Sequence, residues 1–317
     1  MASVDTTTNA GQLLAAASGG RRRRGDRIFS RTAVLAAVTI LLLLAGVAIF
    51  LLAEGFPALT ASASELPEGK SFVDYVAPLA FGTVLAATLA ALPAVPLAVA
   101  AALFITHVAP PKIALTLGYL VDLLAAIPSI IYGLWGIFVL GPKMVPVMKW
   151  LEAKLGFIPI FEGPASVTGR TMLVAGLVLA VMILPIVSAV AREAFAQSPR
   201  GLQEGAQALG ATRWEMIRMT VLPFGRSSVI SGAMLGLGRA LGETMAVTII
   251  LSVSGAVTFN LIGQANPSTI AANIALDFPE SSGLAINALI ATGLVLFAIT
   301  LVTNMGARWI IARQEGD

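Results

Sequence analysis

The sequence lacks cysteine altogether and contains a single histidine, His107. The absence of cysteine excludes disulfides, thiolate metal sites and thiol nucleophiles. One histidine forms neither a histidine-based metal cluster nor a pair of catalytic imidazoles. No other cluster of side chains suggests a membrane-embedded active site, so we do not expect the chain to be an enzyme.

Charged residues are also scarce. They make up 12% of the 317 residues, about half the share found in an ordinary soluble domain. Hydrophobic residues make up 57% and occur in long runs. Because about 20 apolar helical residues cross the roughly 30 Å hydrocarbon core of a bilayer, these runs predict an all-α integral membrane protein with about six transmembrane helices. The predicted spans are approximately 31–53, 75–106, 113–140, 171–191, 228–255 and 283–306.

Prolines fall in the interior of the second and third predicted spans, which are both longer than a bilayer requires. Pro93, Pro96 and Pro128 each remove one helical hydrogen bond. We therefore expect these two spans to tilt or to break.

The chain divides into four predicted regions. Residues 1–30 form a polar, then basic, cytoplasmic tail that we expect to be disordered. Residues 31–74 hold the first transmembrane helix and an external loop. Residues 75–312 form a core of five transmembrane helices, and residues 313–317 a cytoplasmic tail. The first apolar run is longer than the core of a cleaved signal peptide, so we expect it to remain as a span.

Basic residues are distributed unequally between the two sides of the predicted spans. With the N-terminus inside, fourteen Lys and Arg residues fall on the inner side and five on the outer side, which predicts a multi-pass membrane protein with both termini in the cytoplasm. These charges flank the apolar runs, as a topology signal places them. The net charge of +3 therefore does not indicate nucleic-acid binding.

The outer segments carry few basic residues. Within residues 141–170, apolar and lysine residues alternate at helical spacing, which predicts a short amphipathic helix along the outer surface. Residues 54–74 and 256–282 contain acidic residues and prolines and are predicted to be loops on which an external partner rests.

One stretch resembles a phosphate-binding loop without fulfilling its pattern. Glu68-Gly69-Lys70-Ser71 matches the end of that loop, but Ser64 stands where a glycine is required. The stretch is also predicted to lie outside the cell. We therefore do not expect this chain to hydrolyse ATP.

The one substantial inner loop, residues 192–227, has consistent helix signals. Ser198 before Pro199 predicts an N-cap and a helix start, and Gly210 predicts the end of that helix. Thr212, followed three residues later by Glu215, is a capping box that begins a second helix. Pro223 is predicted to end it. The pattern predicts two short helices that meet at a glycine bend.

This loop resembles the EAA loop of bacterial ABC import permeases, in which Glu-Ala-Ala is followed by Gly and later by Leu-Pro. The matching residues are Glu204, Gly205, Ala206, Gly210, Leu222 and Pro223. Two positions depart from the pattern, because Gly205 replaces the usual first alanine and Thr220 stands where isoleucine is common. The longer run from Glu204 to Val247 resembles the PstC-type permeases of phosphate-specific importers.

The resemblance implies the fold of a type I ABC importer and a set of partners. These are a homologous second permease of the PstA type, a cytoplasmic ATPase dimer of the PstB type, an external phosphate-binding protein of the PstS type, and membrane lipid. ATP and Mg²⁺ would bind to the partner ATPase, and this chain would hold no cofactor. The EAA-like loop would be the coupling helix seated in a groove of that ATPase.

Two opposite charges lie inside the predicted fifth span. Arg239 and Glu243 are four residues apart, and an ion at membrane depth persists only if it is paired or in use. Glu243 is predicted to hold Arg239, either as a structural pair that fixes the helix register or as part of an anion path in which the guanidinium contacts phosphate. Small residues from Gly232 to Gly242 predict a close helix interface on this span.

Asp122 in the third span is a weaker candidate for the substrate path. It would complete the anion path, pair with Arg239, or cap a helix broken near Pro128. Two other functions also stay open at this point. One is an importer of another oxyanion, such as molybdate or sulfate. The other is a secondary transporter or channel that works alone, against which the EAA-like loop counts.

Overall fold

The computed structural model describes residues 24–255 and 257–314. The predicted tail residues 1–23 and 315–317 lie outside the described part. The described residues fall into two compact units, which divide between Phe50 and Leu51. The first helix, α1 (Arg24–Thr60), begins inside the predicted tail. The expectation of disorder was therefore wrong for residues 24–30, where Asp26 in the first turn favours a helix start.

The described residues fold into helices and turns without a β-strand. Helices α2 to α12 are Phe72–Leu103, Pro111–Ala125, Ser129–Trp135, Gly141–Leu155, Met172–Ala196, Arg200–Ala208, Arg213–Met216, Leu222–Leu241, Met245–Ile250, Ile270–Asp277 and Leu284–Gln314.

Five described helical stretches are long and apolar enough to cross a membrane. They are Ile28–Thr60, Phe72–Val108, Ser129–Leu155, Met172–Ala196 and Leu284–Arg313. The predicted fifth span is not among them, and it is divided between α9 and α10.

The centre of the second unit is the packing of α2 and α9 against α6. Alanines such as Ala86, Ala90 and Ala94 line the buried face of α2 and let α6 approach closely. A Cβ atom placed on Gly176 of α6 would lie 2.7 Å from the Leu89 Cβ atom, so no larger residue fits there. α6 is the most deeply buried of the five stretches, since 61% of its most apolar part is buried. It is therefore the helix around which the others pack.

Proline acts differently in the two long spans. α2 runs unbroken through Pro93 and Pro96 and continues through a π turn at Phe104–Val108. The third span breaks as predicted, since α3 ends before Pro128 and α4 begins after it.

The predicted outer-surface helix forms, but it is not separate. α4 continues through a π turn at Gly136–Leu140 into α5, and the 27 residues from Ser129 to Leu155 form one stretch. The apolar face of α5 is covered by the chain itself, because Met148 is fully buried in a cluster with Ala165 and Ile262.

The outer segments are more ordered than predicted. α1 extends to Thr60 and its last turns pack on α12, where Ala58 is buried with Ala288 and Ala291. α11 occupies part of the segment that was predicted to be a loop. Its N-cap is Thr269, whose hydroxyl oxygen accepts the Ala272 N–H at 3.3 Å.

Candidate functional site

The interruptions in the third and fifth spans lie near each other. α4 packs so closely on α10 that a Cβ atom placed on Gly133 would lie 3.0 Å from the Cα atom of Ala246. The Tyr132 hydroxyl donates a hydrogen bond to the Leu124 carbonyl oxygen at 2.7 Å, which also accepts the Ile127 N–H at 3.3 Å, so this bond ties α4 to the last turn of α3. Interrupted helices at membrane depth occur where protein covers them or where they line a path.

Arg239 occupies the last turn of α9, beside this junction. Its side chain is exposed in the single chain, and the next two residues, Ala240 and Leu241, are buried in the same apolar cluster as Tyr132. No carboxylate among the described residues forms an ion pair with it. The C-terminal end of a helix favours a cation. The junction therefore presents an unpaired guanidinium, the group best suited to bind an oxyanion through parallel N–H donors.

The predicted ion pair between Arg239 and Glu243 does not form. α9 stops at Leu241, so the two residues are not one turn apart on a continuous helix. Glu243 is instead 8% exposed, and its Oε1 atom accepts the Ala246 N–H at 3.2 Å. Glu243 thereby caps the first turn of α10, where a carboxylate is stabilised by the free N–H groups.

Asp122 takes neither of the two structural roles predicted for it. Its Oδ1 atom accepts a hydrogen bond from Arg192 Nη2 at 2.9 Å, which joins α3 to the end of α6. It neither pairs with Arg239 nor caps α4, whose N-cap position at Pro128 receives no side-chain hydrogen bond. Gly118 makes room for this pair, because a Cβ atom there would lie 2.7 Å from Arg192 Nη1.

The glycines of α9 form a helix interface on one side only. Cβ atoms placed on Gly232 and Gly236 would lie 3.0 Å from Val190 Cβ and 2.8 Å from Val187 Cγ2 of α6. The interface was thus predicted correctly for this pair. The second small-residue pair begins at Gly238, which has nothing within 4 Å of its Cβ position and lines an open cavity between α9 and α12.

A buried asparagine that the sequence does not reveal holds the outer end of the site. Asn266 is fully buried, and its Nδ2 atom donates to the carbonyl oxygens of Arg170 and Ser252 at 3.1 Å and 3.2 Å. Its Oδ1 atom accepts the Met172 N–H at 2.9 Å. Arg170 Nη2 in turn donates to the Leu251 carbonyl oxygen at 3.1 Å. These bonds fix the end of α10 to the start of α6, and no local motif predicts contacts so distant in sequence.

The inner loop begins with a helix whose cap was predicted wrongly. α7 starts at Arg200 with Pro199 at the N-cap position. Ser198 is therefore one residue too early to cap it, and the buried Ser198 hydroxyl has no hydrogen-bond partner among the described residues. The Ser198 carbonyl oxygen instead accepts the Gln203 side-chain N–H at 3.2 Å.

The bend after α7 is the one that the sequence predicts. Gly210 has φ +88°, a conformation that favours glycine, and the Ala211 N–H returns to the Ala206 carbonyl oxygen at 3.1 Å. The Thr212–Glu215 capping box is confirmed, since Thr212 Oγ1 accepts the Glu215 N–H at 3.3 Å and Glu215 Oε2 accepts the Thr212 N–H at 2.8 Å. Hydrogen bonds from the Thr212 backbone N–H and then its hydroxyl lower the pKa of Glu215.

Pro223 does not end the second helix. α8 passes through a π turn at Ile217–Val221 into α9, with Leu222 and Pro223 in the first turn of α9. Proline is tolerated in a first helical turn. The second helix of the loop is therefore continuous with the first half of the fifth span.

The loop has a buried side and an exposed side. The buried side forms one apolar cluster with the inner ends of α2 and α6: Ala102, Leu103, Ala191, Phe195, Ala206, Met216, Ile217 and Val221. Large apolar side chains point away from the chain on the other side, where Leu202, Leu209 and Trp214 are 57%, 91% and 61% exposed. Glu204 and Gly205 are exposed beside them. An apolar surface of this kind marks an interaction site.

The stretch that resembles a phosphate-binding loop is a short 3₁₀ turn at Pro67–Gly69, followed by α2 with Ser71 as its N-cap. Among the described residues, no group of three or more His, Asp or Glu side chains is arranged to hold a metal ion. The described site presents an exposed guanidinium at Arg239 and an exposed apolar surface on the loop.

Comparison with solved structures supports the fold. A chain of the MetNI methionine ABC transporter in an inward-facing conformation superposes with a TM-score of 0.50 at 17% identity, over 77% of this chain and 95% of that chain. A bacterial ABC transporter involved in the import of the acidic polysaccharide alginate gives a TM-score of 0.51 at 20% identity, over 91% of this chain and 99% of that chain. The described chain thus has the fold of an ABC importer membrane subunit.

Comparison with curated proteins is more specific. The phosphate transport system permease protein PstC 2 of Mycobacterium tuberculosis is 45% identical over 90% of this chain and 91% of its own length. PstC of Mycobacterium leprae is 47% identical over 83% and 86%, and PstC of Mesorhizobium japonicum 39% identical over 92% and 91%. Residues 108–316 match the family model described as the binding-protein-dependent transport system inner membrane component. The chain therefore belongs to the family of binding-protein-dependent transport system inner membrane components, in the group of the PstC permeases.

Proposed function

We propose that this chain is the transmembrane permease subunit of an ATP-driven importer of inorganic phosphate. The observation that carries the proposal is the exposed Arg239, which stands without a carboxylate partner among the described residues at the junction of two interrupted helices. The similarity to PstC proteins, which are phosphate transport system permeases, supports phosphate over molybdate or sulfate as the transported anion.

Arg239 is the contact for the passing anion. Its planar guanidinium presents parallel N–H donors that match two oxygens of one phosphate. Glu243 does not act as the predicted partner of Arg239. By capping α10 it holds the second half of the fifth span beside α4, so it is a positioning residue of the path.

The inner loop couples the path to a separate ATPase. The exposed surface around Glu204, Leu209 and Trp214 would seat in a groove of that subunit, which binds ATP and Mg²⁺ and hydrolyses the nucleotide. Since α8 continues into α9, movement of the docked loop would turn the helix that carries Arg239. Rocking of one helix group against another would then alternate access to the path.

The remaining partners complete the importer. A homologous second permease would cover the open side of α9 at Gly238. An external phosphate-binding protein would deliver the anion to the outer segments. Both termini would face the cytoplasm, as the fourteen inner and five outer Lys and Arg residues indicate. At the end of α12, Arg313 lies 3.8 Å above the Trp309 ring, a pair typical of the membrane–water interface.

The test is phosphate uptake by the reconstituted transporter carrying Arg239→Gln. We expect uptake to fall at least tenfold while the second permease and the ATPase still copurify. Lys112→Gln is the matched control, because it removes an exposed cation at the start of α3 and should leave uptake unchanged. Normal uptake by Arg239→Gln would remove this residue from the path. Strong inhibition of wild-type uptake by excess sulfate or molybdate would instead favour another oxyanion.

A further inference from the structure

A groove separates α2 from α9 near the inner loop. Its volume is about 430 Å³, and it lies at the start of α9, directly after the π turn that ends the loop. The groove is lined by Val99, Leu222, Pro223, Arg226, Val229 and Ile230. Five of its six lining side chains are apolar, so its chemistry suits a hydrocarbon chain.

The one charged lining residue lacks a partner within the described chain. Arg226 is exposed, and among the described residues it forms neither an ion pair nor a side-chain hydrogen bond. By contrast, Arg192 at the end of α6 has the Asp122 carboxylate at 2.9 Å. An unpaired guanidinium beside an apolar groove is complementary to a ligand with a phosphate at one end and a hydrocarbon tail at the other.

The position of the groove along the helix agrees with this chemistry. Arg226 precedes Val229 and Ile230 on a helix that runs from the inner loop into the membrane. Leu222 and Pro223 lie on the loop side of Arg226, whereas Val229 and Ile230 lie farther along the helix. The part of the groove from Arg226 onward therefore has the order of a headgroup and an acyl chain. Basic pockets between transmembrane helices on the cytoplasmic side bind anionic lipid headgroups.

We propose that this groove binds one anionic phospholipid of the inner leaflet. The Arg226 guanidinium contacts the lipid phosphate, and one acyl chain lies against Val99, Val229 and Ile230. The proposal goes beyond phosphate transport. It rests on the proposed orientation only in assigning the groove to the inner leaflet. A bound lipid would fill the space between α2 and α9 beside Val221 and Leu103, residues of the cluster that anchors the inner loop. It would therefore stabilise the loop in its docked position.

The experiment is native mass spectrometry of the whole transporter, delipidated and then supplied with phosphatidylglycerol or phosphatidylcholine. Wild type should retain phosphatidylglycerol, and Arg226→Gln should lower that occupancy at least threefold. Arg218→Gln is the matched control, since Arg218 is an exposed cation of the same loop that does not line the groove. Its occupancy should equal that of wild type. Ile230→Trp, which fills the apolar part and keeps the charge, should also lower it.

Three results would overturn the proposal. The first is equal phosphatidylglycerol retention by wild type and Arg226→Gln. The second is equal retention of the two lipids by wild type, because the anionic headgroup would then contribute nothing. The third is a crosslink from Ile230→Cys to the second permease or the ATPase, which would assign the groove to a protein partner. Lipid retention is measured without transport, so failure here leaves the phosphate proposal standing, and loss of that proposal leaves this one testable.

Discussion

The Arg192 guanidinium lies 2.9 Å from the Asp122 carboxylate, and this ion pair ties the middle of α3 to the inner end of α6. The two residues are 70 positions apart in sequence. Gly118, one turn before Asp122, leaves the space that the guanidinium occupies. The pair therefore connects an interrupted span to the helix that leads into the inner loop.

Removing this pair should affect stability slightly and transport little. The side chains of Arg192 and Asp122 are 24% and 53% exposed, and exposed ion pairs contribute about 0–1 kcal/mol. We expect Asp122→Asn to lower the unfolding free energy of the purified complex by less than about 1 kcal/mol and to retain phosphate uptake. Thermal unfolding and an uptake assay check the two statements.

Gly118→Val provides an independent route to the same pair. Because a Cβ atom at this position already lies 2.7 Å from Arg192 Nη1, the substitution should displace the guanidinium. In the Asp122→Asn background it should add less destabilisation than it does alone, since the contact is already lost. Loss of uptake in Asp122→Asn with normal assembly would place Asp122 in the substrate path after all.

Glu243 should tolerate loss of its charge better than loss of its acceptor atom. Its Oε1 atom accepts the Ala246 N–H at 3.2 Å, and glutamine retains an acceptor at that position. We expect Glu243→Gln to keep most of the stability and uptake of wild type. Glu243→Ala should destabilise by about 0.5–2 kcal/mol, the usual cost of a lost cap. If Glu243→Gln alone abolished uptake while folding normally, the carboxylate charge would be required for transport itself.

The start of α8 should weaken at acid pH. Hydrogen bonds from Thr212 hold the pKa of Glu215 below its ordinary value of 4.5. For a carboxyl group with a lowered pKa, the stabilisation is fully present above the ordinary value and is lost as the pH falls through the value in the folded protein. The amides of Thr212, Glu215 and Met216 are hydrogen-bonded within this turn. Once the intrinsic exchange rate is corrected for, they should keep constant protection from hydrogen exchange above the ordinary pKa of 4.5 and lose protection as the pH falls below it.

The comparison for this experiment is Glu215→Gln. Glutamine still accepts the Thr212 N–H but does not titrate, so its protection should not change across the same pH range. An identical pH response in Glu215→Gln would show that another group controls the opening of the loop.

How far the sequence predicts this molecule depends on whether a signal is local. The features that were predicted correctly each depend on residues within one or two turns. They are the long apolar runs, the break at Pro128, the glycine bend at Gly210 and the Thr212–Glu215 box. Local reasoning was wrong where a proline follows a π turn. At Pro223 the helix continues, because the turn adjusts the backbone before the missing N–H is reached.

The site was predicted less well because its contacts are not local. The spacing of Arg239 and Glu243 indicates an ion pair only if the helix is continuous, and the interruption after Leu241 removes that condition. Neither the Asp122–Arg192 pair nor the bonds of Asn266 have a sequence signature, since both join segments that meet only in the folded chain. Arg239 was identified by its charge at membrane depth, which is a local property.

The two sides of α9 provide the last prediction, since they carry glycines with different surroundings. A Cβ atom placed on Gly236 would lie 2.8 Å from Val187 Cγ2 of α6, whereas one placed on Gly238 would have nothing within 4 Å. Gly236→Val should force α9 away from α6 and lower the stability of the chain by about 1–3 kcal/mol, as overpacking does. Gly238→Val should leave the stability of the isolated chain nearly unchanged.

If the open side of α9 is where the second permease packs, Gly238→Val should instead reduce copurification of that subunit, because a small residue at a membrane helix interface permits close approach. The two effects are separated by measuring thermal unfolding of the chain expressed alone and subunit recovery from the whole complex. Equal destabilisation of the isolated chain by Gly236→Val and Gly238→Val would show that Gly238 is also packed within this chain. Normal recovery of the partner with Gly238→Val would place the permease interface elsewhere.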